Sequence, residues 1–286
     1  MVAARMLTES DLTDGPVSLR VASGPANGPP LVLLHGLGRR GTDFLALVPM
    51  LATRWEVYLV DHRGHGGSGR APGRYAVVDY VEDALAVLAR FGRPAVLFGH
   101  SLGALVAAAA AAARPKLVRA VILEDPPSAA FLARLHQTGY YATFRAMRRL
   151  AGSDRPVAEV ARELGDTAVP TPGGVVKLAT LRDGCALRFL ARCLAHVDGE
   201  VFTPALESRW MDGYDERAVW RGVHCPALLL RGDPADGGML PVDDADRMYL
   251  DMPDMTRIDL AGIGHLIHGT ATELTARSVL SFLESV

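Results

Sequence analysis

The segment Phe98-Gly99-His100-Ser101-Leu102-Gly103 constrains this chain more than any other. It lies between a short apolar run, 95–98, and an alanine-rich stretch within 104–113 that is the best helix-forming sequence in the chain. Glycines at G-x-S-x-G spacing between a strand and a helix predict a turn so tight that only small neighbours avoid collision. Such a turn strains the backbone of the serine and projects its hydroxyl outward. The N-terminus of the following helix then points at that hydroxyl and favours negative charge developing there. Ser101 is therefore a candidate nucleophile. A chance Gly-Ser-Gly turn has the same letters but not the same flanks.

Around this turn, short apolar runs alternate with helical patterns, which predicts a mostly parallel sheet with helices on both faces. The expected strands are 17–21, 31–34, 57–60, 95–98, 118–123, 227–230 and 256–260, with helical patterns such as 79–90 between them. The rhythm stops between about Pro127 and Trp220. That stretch has no buried-strand run and carries Phe131, Tyr140, Tyr141, Phe144, Phe189, Phe202, Trp210 and Tyr214. It reads as a helical insertion over the sheet, with Pro170-Thr171-Pro172-Gly173-Gly174 as a loop dividing it. The expected organisation is a core of 1–127 and 221–286 with a helical cap, or lid, over 128–220.

Composition narrows the class of partner. The 286 residues are 49% hydrophobic and 22% charged, with a formal net charge of -2, so neither nucleic acid nor an anionic membrane is expected to bind. Cys185, Cys193 and Cys225 have no metal-like spacing, and an odd count without a secretory leader suggests reduced thiols in the cytoplasm. The most apolar run, 102–113, is shorter than the roughly 20 residues that span a bilayer, so a soluble protein is expected. A homodimer is allowed and not specified.

Acyl transfer to a serine needs two backbone N–H donors for the oxyanion. Leu102, which follows the nucleophile, is one candidate. Leu37, in the His35-Gly36-Leu37-Gly38 loop after strand 31–34, is the other. A decoy lies nearby: Gly64-His65-Gly66-Gly67-Ser68-Gly69 fits G-x-G-x-x-G, but it follows a polar Asp61-His62-Arg63 and leads into a turn. The dinucleotide motif requires a strand before and a helix after, so no nicotinamide or flavin cofactor is expected. His62 and His65 lack further nearby ligands, which favours a loop-stabilising role over metal.

His35-Gly36, the 61–69 loop, the Gly99–Gly103 elbow and the C-terminal Gly264-His265 together resemble the α/β-hydrolase superfamily, in order and approximate spacing. The resemblance spans the core and leaves out Pro127 to Trp220. It implies an α/β-hydrolase fold, with a mostly parallel central sheet flanked by helices and the cap inserted after strand 6. It also implies that His265, just after the last expected strand, is the catalytic base among nine histidines. His268 is its nearest rival and reads better as a packing residue. No cofactor and no metal are implied.

The acid is open between several carboxylates. In the superfamily its commonest slot follows the next-to-last strand, three residues past a terminal glycine, and here Ala235 occupies that slot between Asp233 and Asp236. The alternative follows strand 118–123, at Glu124-Asp125-Pro126-Pro127. An acid there resembles the haloalkane dehalogenases and the zearalenone-lactonase-like hydrolases, and the triad depends on geometry more than on position. Asp125 is preferred, then Asp236 or Asp233, then Glu124. The serine nucleophile argues against haloalkane dehalogenase or epoxide hydrolase chemistry.

The expected reaction is cofactor-free hydrolysis of an ester, lactone or thioester through an acyl-enzyme. The aromatic cap, with Met147, Met211, Trp210 and Tyr214, suggests a small, largely apolar substrate, and Trp210 is the preferred pocket residue. Three other readings remain open. They are carbon–carbon bond hydrolysis of a diketone-like substrate, a cofactor-free haloperoxidase-type activity, and a ligand receptor with little turnover.

Overall fold

The computed structural model describes residues 7–286. Eight strands form one sheet in the order β1-β2-β4-β3-β5-β6-β9-β10, and β7 pairs with β8 in a separate hairpin. The large sheet comprises β1 (Thr8–Leu12), β2 (Leu19–Gly24), β3 (Pro30–Leu34), β4 (Glu56–Val60), β5 (Ala95–His100), β6 (Val118–Glu124), β9 (Ala227–Gly232) and β10 (Met255–Leu260). Pairs β1–β2 and β2–β4 are antiparallel, and the remaining pairs are parallel. All seven strands expected from the sequence lie in this sheet. The eighth, β1, was not expected, because Thr8-Glu9-Ser10-Asp11-Leu12 is polar and mostly exposed at a sheet edge.

Strands β3, β5 and β9 are buried along their whole length, and their alternate side chains feed two separate cores. Leu31, Leu33, Val96 and Phe98 pack with Phe44, Leu47 and Leu51 on one face. Val32, Leu34 and Leu97 pack on the other with helices α1 (Val77–Leu88) and α2 (Leu102–Ala113). Each such side chain contributes about 1.5–3 kcal/mol on burial. Residues Leu102 to Ala111 of α2 are all buried, which explains the alanine run: small side chains let the helix lie close to the sheet. The closeness is steric at both elbow glycines. A Cβ on Gly99 would sit 2.0 Å from the Gly103 carbonyl oxygen, and one on Gly103 would sit 1.9 Å from that of Leu34.

Between β6 and β9 run α3 (Gly139–Leu150), α4 (Val157–Gly165), the hairpin of β7 (Ala168–Thr171) and β8 (Gly174–Lys177), α5 (Gly184–Leu194) and α6 (Glu216–Gly222). The hairpin corrects the expectation of a plain loop at 170–174. Thr171 pairs with Gly174, so Pro172-Gly173 forms its two-residue turn, and Pro170 is tolerated because the strand is short and at an edge. Helix α6 packs against α2, and the Tyr214 hydroxyl donates to the Leu105 carbonyl at 3.1 Å. The chain closes with α7 (Val242–Asp251) and α8 (Thr272–Leu283). Among the described residues no helix is long and apolar enough to cross a membrane.

Candidate active site

The carboxyl ends of β5, β6, β9 and β10 lie side by side, and the loops after them converge, as expected for a site in an open α/β sheet. Ser101 follows β5 at φ 56° and ψ -116°, a left-handed conformation that costs about 1–3 kcal/mol for a residue with a side chain. Its amide donates to the Glu124 carbonyl at 2.9 Å, tying the turn to the neighbouring strand. Ser101 and His265 line one cavity of about 90 Å³.

Asp125 follows β6, also at positive φ (42°), and is completely buried. Its amide donates to Leu230, which turns the side chain toward the end of β9. There Oδ1 accepts the Gly232 amide at 3.0 Å and Oδ2 accepts the Met239 amide at 2.8 Å. The same Oδ2 lies 2.6 Å from His265 Nδ1. With Nδ1 protonated, His265 donates to Asp125, and Nε2 is left to accept a proton. Asp233 and Asp236 do not meet this histidine. Asp233 accepts the Ala235 and Gly262 amides at 2.9 and 3.1 Å and staples two loops, while Asp236 is exposed.

Glu124 faces a different histidine. Its carboxylate lies 2.9 Å from His268 Nδ1 through both oxygens and also accepts the His268 amide. Asp43 Oδ2 is 3.3 Å from the other ring nitrogen, and Arg39 holds Asp43 by a two-pronged ion pair. Burial works against charge on His268, but Glu124 and Asp43 outweigh it and raise its pKa to about 9. Burial also works against the charge on Asp43, yet Arg39 and His268 hold its carboxyl well below the usual range. The row Arg39–Asp43–His268–Glu124 thus alternates in sign, running from Arg39 in the cavity lining to the buried His268–Glu124 pair. Only His268's packing character was foreseen; the network itself joins residues far apart in the chain.

The remaining histidines near the site are neutral. Burial drives His35 and His100 well below their ordinary value, His62 to about 3 and His65 to about 4. Their nitrogens mostly brace backbone. His65 Nε2 accepts the Gly38 amide at 3.0 Å, His35 Nε2 accepts the His62 amide at 3.0 Å, and His62 Nε2 lies 3.1 Å from the His35 carbonyl. This ties the 61–69 loop to the 35–38 loop. Among the described residues no group of three or more His, Cys, Asp or Glu is placed to hold a metal ion.

Leu37 lines the cavity, whereas the Leu102 side chain is buried and contributes only its amide at the first position of α2. Among the described residues neither amide is engaged by a protein acceptor. A helix's first amides point out of its N-terminus, so the Leu102 N–H faces the elbow.

The segment between β6 and β9 contributes Tyr140, Phe144 and Met147 from α3 to the cavity wall, and Arg182 and Leu187 from the chain around α5. Trp210 is not among the lining residues, which corrects the expectation for it. It is 2% exposed within the main hydrophobic cluster, and its carbonyl accepts the amide that opens α1. Tyr214 is likewise held against α2. The aromatic richness of the segment between β6 and β9 therefore reflects packing onto the core as much as lining. Sequence alone offers no signal that separates the two uses.

Comparison with known proteins agrees with this architecture. A family model described as the α/β hydrolase fold matches residues 29–163. The chain is similar to a 2-(acetamidomethylene)succinate hydrolase of Mesorhizobium japonicum, at 25% identity over 283 residues, covering 95% of this chain and 93% of that protein. It is also 30% identical over 290 residues to a magnesium-chelatase 30 kDa subunit of Rhodobacter capsulatus, covering 94% of this chain and 92% of that one. The crystal structure of an E-2-(acetamidomethylene)succinate hydrolase superposes with a TM-score of 0.76 at 23% identity, covering 97% of this chain and 99% of the other. Strand order, the strained serine after β5 and similarity along nearly the whole chain together make this protein a member of the α/β-hydrolase superfamily.

Proposed function

We propose that this protein is a cofactor-independent serine hydrolase that cleaves an ester or lactone bond of a small, largely apolar substrate through an acyl-enzyme. The observation that carries this reading is the pairing of a strained Ser101 with a buried His265–Asp125 couple in one cavity. Relatives that are themselves hydrolases support an enzyme. Ser101 Oγ attacks the carbonyl carbon while its proton passes to His265 Nε2. The oxyanion is received by the amides of Leu37 and Leu102. Collapse breaks the bond to the leaving oxygen, which takes the proton from His265. Water then loses a proton to His265 and attacks the acyl carbon, and Ser101 recovers its hydrogen.

Asp125 holds the His265 tautomer and offsets the imidazolium that forms. Because Gly232 and Met239 fix its carboxylate, the orientation of His265 is inherited from β9 and its following loop. Leu, Met and Phe make up about half of the cavity lining, which suits an apolar acyl or alcohol group.

A panel of p-nitrophenyl esters and lactones on wild type and Ser101→Ala, with intact mass after fluorophosphonate treatment, tests the reading. Turnover lost in Ser101→Ala, with one label on wild type, is expected. Labelling without ester or lactone turnover would redirect the search to a diketone-like substrate. Neither labelling nor turnover in folded protein would leave a ligand receptor as the better account.

A further inference from the structure

Two arginines, Arg39 and Arg182, line an otherwise largely apolar cavity whose lining contains no Asp or Glu. They differ in how their charge is met. Arg39 is clamped by Asp43 and lies 5.3 Å from the Phe189 ring centroid, so its positive charge is already offset. Arg182 has no such partner: among the described residues no carboxylate is ion-paired with it. The nearest acid in sequence, Asp183, is turned away, with Oδ1 accepting the Cys185 and Ala186 amides at 2.7 and 2.9 Å as the cap of α5. Arg182 shares the cavity wall with Tyr140, whose hydroxyl donates its own hydrogen to the Gly237 carbonyl.

A guanidinium that is partly withdrawn from water without a counter-charge is costly, and its planar fork matches a carboxylate. We propose that Arg182 is the binding residue for a free carboxylate on the substrate, which is then the ester or lactone of an acidic molecule with a short apolar link. The proposal rests on the serine-hydrolase reading for what happens at Ser101, but not for binding. The carboxylate would occupy the cap side of the cavity beside Tyr140, with the reacting carbonyl at the elbow. The small cavity volume limits the link between them to a few carbons.

Binding can be measured without turnover. Ser101→Ala is titrated calorimetrically with the monomethyl esters of succinate, glutarate and adipate, and with the corresponding dimethyl esters. At least one monoester is expected to bind about tenfold or more tighter than its diester, weakening as salt is raised. Adding Arg182→Gln should abolish that preference, and Arg182→Lys should restore part of it, with thermal melts confirming that each variant is folded. No monoester binding, or a preference that survives Arg182→Gln, overturns the proposal. Wild-type turnover of the same esters is followed in parallel. Monoester binding without ester turnover would count against the hydrolase reading alone, and turnover without carboxylate preference would count against Arg182 alone.

Discussion

His268 Nδ1 lies 2.9 Å from both carboxylate oxygens of Glu124, one residue before the aspartate that meets His265. Two histidines three residues apart are thus each matched to one of two consecutive acids. The His265 pair opens on the cavity, whereas the His268 pair is buried with Asp43, whose partner Arg39 reaches the cavity lining.

The His268 pair should make stability depend on pH. The folded pKa of His268 is raised to about 9 from an ordinary value of 6.5. The corresponding stabilisation is fully present below the unfolded value and fades as pH rises through the folded one. Urea unfolding should therefore weaken by a few kcal/mol at most between pH 6.5 and about 9.5. His268→Gln should be less stable at pH 6.5 and should lose that slope. An unchanged slope in the variant would assign the pH dependence elsewhere.

Asp125→Asn should lower kcat by about 10²- to 10⁴-fold, because an amide cannot hold the His265 tautomer that a carboxylate holds. Asp236→Asn, whose side chain is exposed and makes no hydrogen bond to His265, should stay within about threefold of wild type. Steady-state rates at saturating substrate separate the two positions. Loss in Asp236→Asn with retention in Asp125→Asn would reverse the assignment.

His65 supports the candidate oxyanion loop by accepting the Gly38 amide. His65→Leu removes that acceptor while keeping an apolar body, leaving a buried N–H unpaired at about 1–3 kcal/mol. If the loop carries an oxyanion donor, kcat should fall about tenfold or more with a smaller change in KM. An equal change in both folding stability and KM, with kcat intact, would reduce His65 to a structural brace.

Trp210 and Met147 should respond differently to truncation. Trp210→Phe keeps most of the packing, and the indole nitrogen has no hydrogen-bond partner to lose, so KM should not move and the melting temperature should fall modestly. Met147→Ala opens the cavity wall and should change the preferred acyl or alcohol size. A chain-length series of esters on both variants checks this. A shift in selectivity with Trp210→Phe would restore it as a pocket residue.

Much of the core was legible because its signals are short-range. A strand buried on both faces needs a continuous apolar run, and the elbow needs glycines at fixed offsets around Ser101, so β3, β5, β9 and the nucleophile's turn can be read residue by residue. The polar edge strand β1 and the Pro-containing hairpin β7–β8 escaped because neither has that burial.

The sequence by itself determined the strand series and the candidate serine, which follow from local spacing and the period of burial, while its landmark loops resemble those of the superfamily. Which acid meets which histidine was decided only in three dimensions. Glu124 and Asp125 are neighbours, and strand pleating with the left-handed turn at Asp125 sends one side chain beneath the sheet end to His268 and the other to His265. The lining of the cavity was likewise decided by packing. Arg182 and Met147 face it while Trp210 does not, because the segment between β6 and β9 packs Trp210 into the main hydrophobic cluster, with its carbonyl on the first amide of α1.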